Sequence, residues 1–391
     1  MNTAFIDYPL TLVQPKFDSS LVDLIIELES MRKVTLASAT PASLFLELKE
    51  LFHFLESVGS ARIEGNNTTI AEYLETKIEV LSPETKGKDT ESLQEILNIE
   101  LAMRFVEEWI REGRPINETF VKSIQKMAVE ELAKEGDTYA GDYRHHNVRI
   151  ANSHHCPPDA SLVSSYMDEL FQFLRQDDPP RYDLLKVALA HHRFVWIHPF
   201  GNGNGRTVRL FTYALLLHYG YGLDQRGGIV NPTAIFCSDR DKYYSFLAQA
   251  DSGDPENLLV WAEYVLGGLK VEIEKINRLC DYEYVAHRIL IPAIDYALDR
   301  ENIGKDEYNI LRRAIELKEI QNADLKPVLP KKSTSSISIL IKRLVNKKML
   351  RSLPENSRKY MISFHGSLLL RGIIRALDNE DFLPLKGEIP T

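Results

Sequence analysis

Residues 198–209 read HPFGNGNGRTVR. His198 opens the stretch, Gly201, Gly203 and Gly205 follow at every second position, and Arg206 and Arg209 close it. Each type has a physical use. An imidazole of ordinary pKa near 6.5 is mostly neutral at pH 7, so His198 can take a proton as a general base. Gly203, Asn204 and Gly205 sit just before a helix that starts near Arg206. Unpaired N–H groups and the positive dipole end attract phosphate there. Glycine lets the backbone approach closely and reach positive φ. Arg206 and Arg209 are three apart, on one face of the first turn, where two guanidiniums can grip a polyphosphate. A plain turn with a capping histidine is the structural alternative. Arginines this early oppose the helix dipole unless an anion is present, which favours a bound anion.

These residues need rigid supports. LLKVALAHHRFVWI is apolar nearly all round, the pattern of a central buried helix that runs into His198. Pro199 stops it and Phe200 pins the loop. RTVRLFTYALLLHYG is the next helix, closing at Gly220. Upstream, SSLVDLIIELESMRKV places Leu21, Leu24, Ile25 and Leu28 on one face behind Ser20. Further helices end at Gly65, Gly113 and Gly136, the last starting at an Asn117 cap. YRHHNVRIAN alternates weakly, as a short hairpin would, before Pro157-Pro158. DPENLLVWAEYVLGGLKVEIEKINRL leads out to a boundary near 280.

The last segment differs. KDEYNILRRAIELKEI, NADLKPVL and STSSISILIKRLVNKKML read as three helices, and LRSLPENSRKYMISF as strand, turn and strand, the order of a winged-helix domain. Its third helix, opened by Ser333 or Thr334, would present Ser335, Lys342 and Arg343 to a groove. The net charge is −9, yet residues 325–360 carry ten Lys/Arg against Glu355 alone. An acidic body with a basic patch hints at an anionic partner, and a solvated lysine-rich face is the bland equivalent. Cys156, Cys237 and Cys280 form no CxxC pair, which argues against a disulfide framework or zinc site and fits a reducing cytoplasm. Apolar runs such as YALLL are too short to span a bilayer, and MNTAFIDYPL lacks the pattern of a signal peptide, so the sequons at Asn67 and Asn117 read as chance.

HPFGNGNGRTVR resembles the signature of the Fic (filamentation induced by cAMP) family, HPFx[D/E]GNGRxxR, at His198, Pro199, Phe200, Gly203, Asn204, Gly205, Arg206 and Arg209. YAGDYRHHNVRI is similar to the family's approach to its target-binding flap, and DRDKYYSFLAQADSGDPENLLVW to its downstream helices. The likeness covers roughly residues 5–270. It implies a mainly all-α Fic-type bundle with a short β-hairpin flap. It also implies AMP transfer from ATP to a Ser, Thr or Tyr hydroxyl of a target protein. His198 would be the base, Gly203, Asn204 and Gly205 would hold the α-phosphate, and Arg206 and Arg209 the β- and γ-phosphates. Tyr243 or Tyr244 would pack near the adenine, and His154 or Val148 would line the flap. SARIEG is similar to the family's inhibitory pattern [S/T]xxxE[G/N], with Ser60, Glu64 and Gly65. The resemblance implies that Glu64 pairs with Arg209 and displaces the γ-phosphate, and that homodimers form.

Asn202 departs from the signature, where Asp or Glu usually holds Mg²⁺. Its neutral carbonyl offers a weaker ligand for Mg²⁺ or Mn²⁺. The expected organisation is an N-terminal helical region over 1–90 with the inhibitory motif, a Fic core over 91–280, a winged-helix-like domain over 281–375 and a tail over 376–391. The first functional reading is an autoinhibited protein adenylyltransferase. The second is a nucleotide-sensing DNA-binding regulator, with DNA or a protein as partner of the C-terminal domain. The third is transfer of another nucleotidyl or phosphoryl group.

Overall fold

The computed structural model describes residues 5–33, 39–73, 90–150, 153–221, 232–353 and 356–383. The chain divides into two units: residues 1–35, 52–68 and 89–274 form the first, and 36–51, 69–88 and 275–391 the second. Residues of the 1–90 region thus fall in both units.

The first unit is built round two helices, Asp183–Ile197 and Asn204–His218. Both are buried along almost their whole length, as the all-round apolar pattern requires. Phe194 links them, 5.5 Å from Phe211 and 6.3 Å from Phe200 between ring centroids. Helices Thr90–Arg111, Glu118–Ala128 and Val163–Arg175 cover this pair. Glu118–Ala128 shows how sequence sets such a cover. Asn117 Oδ1 accepts from the Phe120 N–H at 3.0 Å, and Phe120, Val121, Ile124, Gln125 and Ala128 face inward. The cap contributes about 1 kcal/mol and each buried large side chain roughly 1.5–3 kcal/mol. This helix ends at Ala128, well before the expected Gly136.

The second unit holds helices Lys305–Leu317 and Thr334–Asn346, a single 3₁₀ turn at Asn322–Leu325, and strands Leu350–Leu353 and Asn356–Ile362. The strands pair antiparallel, Leu350 with Ile362 and Arg351 with Met361. Ile320 adds a bridge to Tyr360, with N···O distances of 2.8 Å both ways. NADLKPVL yields only that one turn because Pro327 and Pro330 remove the donors a longer helix needs. Ser333 is the cap of Thr334–Asn346, its hydroxyl accepting from Ser336 N. Val285–Leu290 is π-helical just ahead of Pro292, whose missing N–H breaks the regular ladder. Helix Leu369–Asn379 runs past residue 375, so no element ends there, and residues 384–391 lie outside the described residues. No described helix is long and apolar enough to cross a membrane.

Candidate active site

All of the signature lies in the first unit. Helix Asp183–Ile197 ends on His198, which takes the left-handed conformation (φ 51, ψ 62) while its N–H still donates to Phe194 O. A non-glycine residue held there costs on the order of 1–3 kcal/mol, so its surroundings must impose it. Arg144 does so from beneath: Nε donates to His198 O at 2.8 Å, and the Arg144 N–H to Pro199 O at 2.9 Å. Burial pushes the imidazole pKa down to about 4, helped by the Arg144 charge, while the Val195 carbonyl pulls the other way. Nδ1 is buried without a hydrogen-bond partner, although the residue as a whole is only half-buried. The His198 imidazole is therefore neutral near pH 7, more firmly than its type alone implies.

The turn after it is shaped for close approach. Gly203 has φ 76, and a Cβ there would lie 2.5 Å from Val129 Cγ1. The first bond of the next helix runs from Thr207 N to Gly203 O at 2.9 Å, so the N–H groups of Asn204, Gly205 and Arg206 open the helix. The Asn204 side chain does not face that opening. Its Oδ1 accepts from Phe200 N and its Nδ2 donates to Phe200 O, both at 2.9 Å. Only its backbone N–H remains for a phosphate. A Cβ on Gly205 would sit 2.1 Å from Glu64 Oε1, so the Glu64 carboxylate lies directly on the helix's first turn.

The two arginines differ. Arg209 Nη2 meets Glu64 Oε1 at 2.7 Å and Ser60 O at 3.0 Å, and its Nε donates to Ser60 Oγ at 2.8 Å. Ser60 and Glu64, one turn apart, thus hold a single guanidinium, and Gly65 closes their helix Ala42–Ile63 at φ 101. Burial alone would push the Glu64 carboxyl up. Arg209, then Arg206, outweigh it and hold the pKa below the usual range. His53 and the Tyr213 hydroxyl both reach Glu107 Oε1, at 2.8 and 2.7 Å, fixing the same helix. Arg206, by contrast, is committed to its own framework: Glu95 Oε1 at 3.0 Å, Glu135 O at 3.0 Å and Ala128 O at 3.4 Å. Burial pushes the Glu95 carboxyl up against the pull of Arg206 and of Asn66, which donates to Glu95 Oε2 at 2.8 Å.

Several expectations need correction. Tyr243 is taken by the core: it is 2% exposed, and its hydroxyl lies 3.0 Å from His191 Nε2. Tyr244 next to it is 42% exposed. Asn202 Oδ1 already accepts from Gly203 N at 2.7 Å, and Nδ2 donates to Gly136 O at 3.3 Å. Among the described residues no three His, Cys, Asp or Glu side chains converge as a metal site. Asp137 lies on this turn, accepting from Asn202 N and Gln125 Nε2, both at 3.1 Å. The flap hairpin is not present among residues 143–150 and 153–158, which pair with no strand; 151–152 lie outside the described residues. Their anchors are side chains, Arg144 and Asn147, and Pro157 and Pro158 donate nothing to a ladder. Val148 there is half-buried and His154 exposed. Sequence reasoning missed Arg144, Glu95, Asn66 and Asp137. Only the quoted YAGDYRHHNVRI pointed near one of them.

The chain is similar to known proteins in sequence and in fold. Residues 115–216 match the model of the Fic/DOC family. The chain is 32% identical over 206 residues to proteins named protein adenylyltransferase Fic from Drosophila sechellia and Drosophila melanogaster, covering 52% of this chain and 37% of each relative. It thus spans well under half the length of these curated relatives. A Fic family protein from Desulfovibrio desulfuricans G20 superposes with TM-score 0.55 at 20% identity, covering 92% of this chain and 99% of that one. A Fic domain containing signaling protein from Bacteroides thetaiotaomicron VPI-5482 gives TM-score 0.52 at 19% identity, over 66% and 96% of the two chains. The mainly helical Fic fold follows from these likenesses.

Proposed function

We propose that this chain, a Fic/DOC-domain protein, is a protein adenylyltransferase restrained by its own Glu64. A target hydroxyl attacks the α-phosphorus of ATP. His198 takes the hydroxyl proton as the new P–O bond forms, the bond from the α-phosphorus to the bridging oxygen breaks, and pyrophosphate leaves. The product is an AMP ester of Ser, Thr or Tyr. The N–H groups of Asn204, Gly205 and Arg206 hold phosphate oxygens where charge builds up. Arg209, once free of Glu64, grips the terminal phosphates, with Arg206 adding a fixed positive charge behind them. ATP would come as its Mg²⁺ or Mn²⁺ complex, for which Asn202 Oδ1 would offer a neutral oxygen ligand beside the Gly203 N–H it already accepts.

One contact carries this reading: the Glu64 carboxylate on Arg209 and against Gly205, an anion site filled by the protein's own anion. The test offers labelled ATP to wild type, Glu64→Gly and Glu64→Gly/His198→Ala. Labelling should rise with the first substitution and vanish with the second. Silence of Glu64→Gly with both Mg²⁺ and Mn²⁺ would reject adenylyl transfer. Labelling displaced better by another nucleotide would point to a different transferred group. A cytoplasmic homodimer accompanies this reading, and sedimentation of the full chain tests the dimer.

A second reading, a nucleotide-sensing DNA-binding regulator, has its own observation. Helix Thr334–Asn346 carries no acid and exposes Ser335, Ser338, Ile339, Lys342, Arg343 and Asn346 along one side. With Arg358 and Lys359 exposed on the hairpin, this winged-helix-like face suits duplex DNA. Salt-sensitive DNA binding by the full chain, together with silent labelling, would favour it. Binding of a protein in place of DNA would remove it.

A further inference from the structure

We propose that Arg144 is the positioning residue of His198, holding the Ile197–Pro199 turn in the form that aims the imidazole at the phosphate cradle. The proposal rests on the reading of His198 as the base. Arg144 is 2% exposed and makes no ion pair with any described carboxylate. Its donors go instead to backbone oxygens: His198 O at 2.8 Å, Ile197 O at 3.4 Å, His146 O at 3.1 Å and Pro158 O at 2.5 Å. Its own N–H reaches Pro199 O at 2.9 Å.

Two of those oxygens end helix Asp183–Ile197. A helix broken by proline leaves its last carbonyls unpaired, and a buried cation at that negative end satisfies both hydrogen bonding and the dipole. The guanidinium is the shape for this, a planar fork with five donors in fixed directions. It also fixes His146 and Pro158, so the segment leading toward a target starts and ends on the group that holds the base. A positive charge so close disfavours the imidazolium, in agreement with the low pKa of His198. A merely structural arginine would set stability alone. A positioning arginine also sets the titration of His198 and the rate of transfer, and leaves ATP affinity alone.

The test uses the full chain in the Glu64→Gly background, with Arg144→Met and Arg144→Lys. The His198 ring is followed by NMR against pH and assigned with His198→Gln, and labelling kinetics are measured in parallel. Arg144→Met should raise the His198 midpoint by about one unit and lower kcat about 100-fold, with KM for ATP within about threefold. Arg144→Lys should keep the low midpoint and recover part of the rate. A folded Arg144→Met with unchanged midpoint and kcat overturns the proposal. If Arg144→Met does not fold, Arg144→Lys decides: a loss of about tenfold in kcat with the midpoint held low supports it, and an unchanged rate overturns it. If Glu64→Gly itself never labels, the functional reading fails, while the NMR titration still decides the role of Arg144.

Discussion

Helices Asn204–His218 and Thr334–Asn346 are of similar length, both lack acids, and each carries two cations close together. In the first, Arg206 and Arg209 are 1% and 2% exposed and pair with Glu95 and Glu64 at 3.0 and 2.7 Å. In the second, Lys342 and Arg343 stand in solvent, and Arg343 is 62% exposed even where it touches Glu307 at 3.2 Å. A buried charge demands a definite partner, because desolvation is expensive. A solvated one tolerates water, an acid or a phosphate almost equally. The buried pair therefore shows which anions it takes within the protein, Glu95 at Arg206 and Glu64 at Arg209, whereas the exposed pair shows only a sign of charge.

Substitutions can sharpen this contrast. The largest effect is expected at the buried site: His198→Ala in the Glu64→Gly background should lower the labelling rate about 10³-fold with the fold intact by circular dichroism. At the exposed helix, Lys342→Ala or Arg343→Ala should weaken duplex DNA binding about tenfold each and reduce the salt slope by about one. Equal DNA binding before and after would place the basic face outside recognition. Asn202→Asp should lower the Mg²⁺ concentration for half-maximal labelling several-fold, which a metal titration reads.

Protonation gives a smaller, signed effect. Glu64 has a depressed carboxyl, so its pairing contributes fully above the ordinary carboxylate value and is lost only as pH falls through the lower folded value. The ratio of wild-type to Glu64→Gly labelling should hence stay constant from pH 8 to about pH 5.5. For His198 the folded pKa near 4 lies below that of the unfolded chain, which takes up the proton first as pH falls. Stability should drop between about pH 6.5 and 4 by on the order of 3 kcal/mol from this group. His198→Gln should flatten that part of a denaturation-midpoint profile.

Much of the site was legible because spacing fixes faces. The i,i+4 step from Ser60 to Glu64 and the i,i+3 step from Arg206 to Arg209 survive any packing of their helices. Pro199 and the alternate glycines dictated the turn. What spacing cannot reveal is a partner distant in sequence. Arg144 lies 54 residues from the carbonyl it holds, and Glu95 is far from Arg206. Tyr243 and Tyr244 are adjacent and of one type, so only burial separates the core ring from the exposed one. YRHHNVRIAN alternated like a strand, yet among its described residues, 143–150, none pairs with a strand and buried Arg144 holds the His146 carbonyl, which sequence alternation does not register.

The central claim is that Glu64 stands in the place of a nucleotide phosphate. Isothermal titration of ATP into wild type and Glu64→Gly addresses it without relying on catalysis. The account predicts binding at least about tenfold tighter in Glu64→Gly, a gain lost again in Glu64→Gly/Arg209→Ala. Equal ATP affinity in wild type and Glu64→Gly would contradict it.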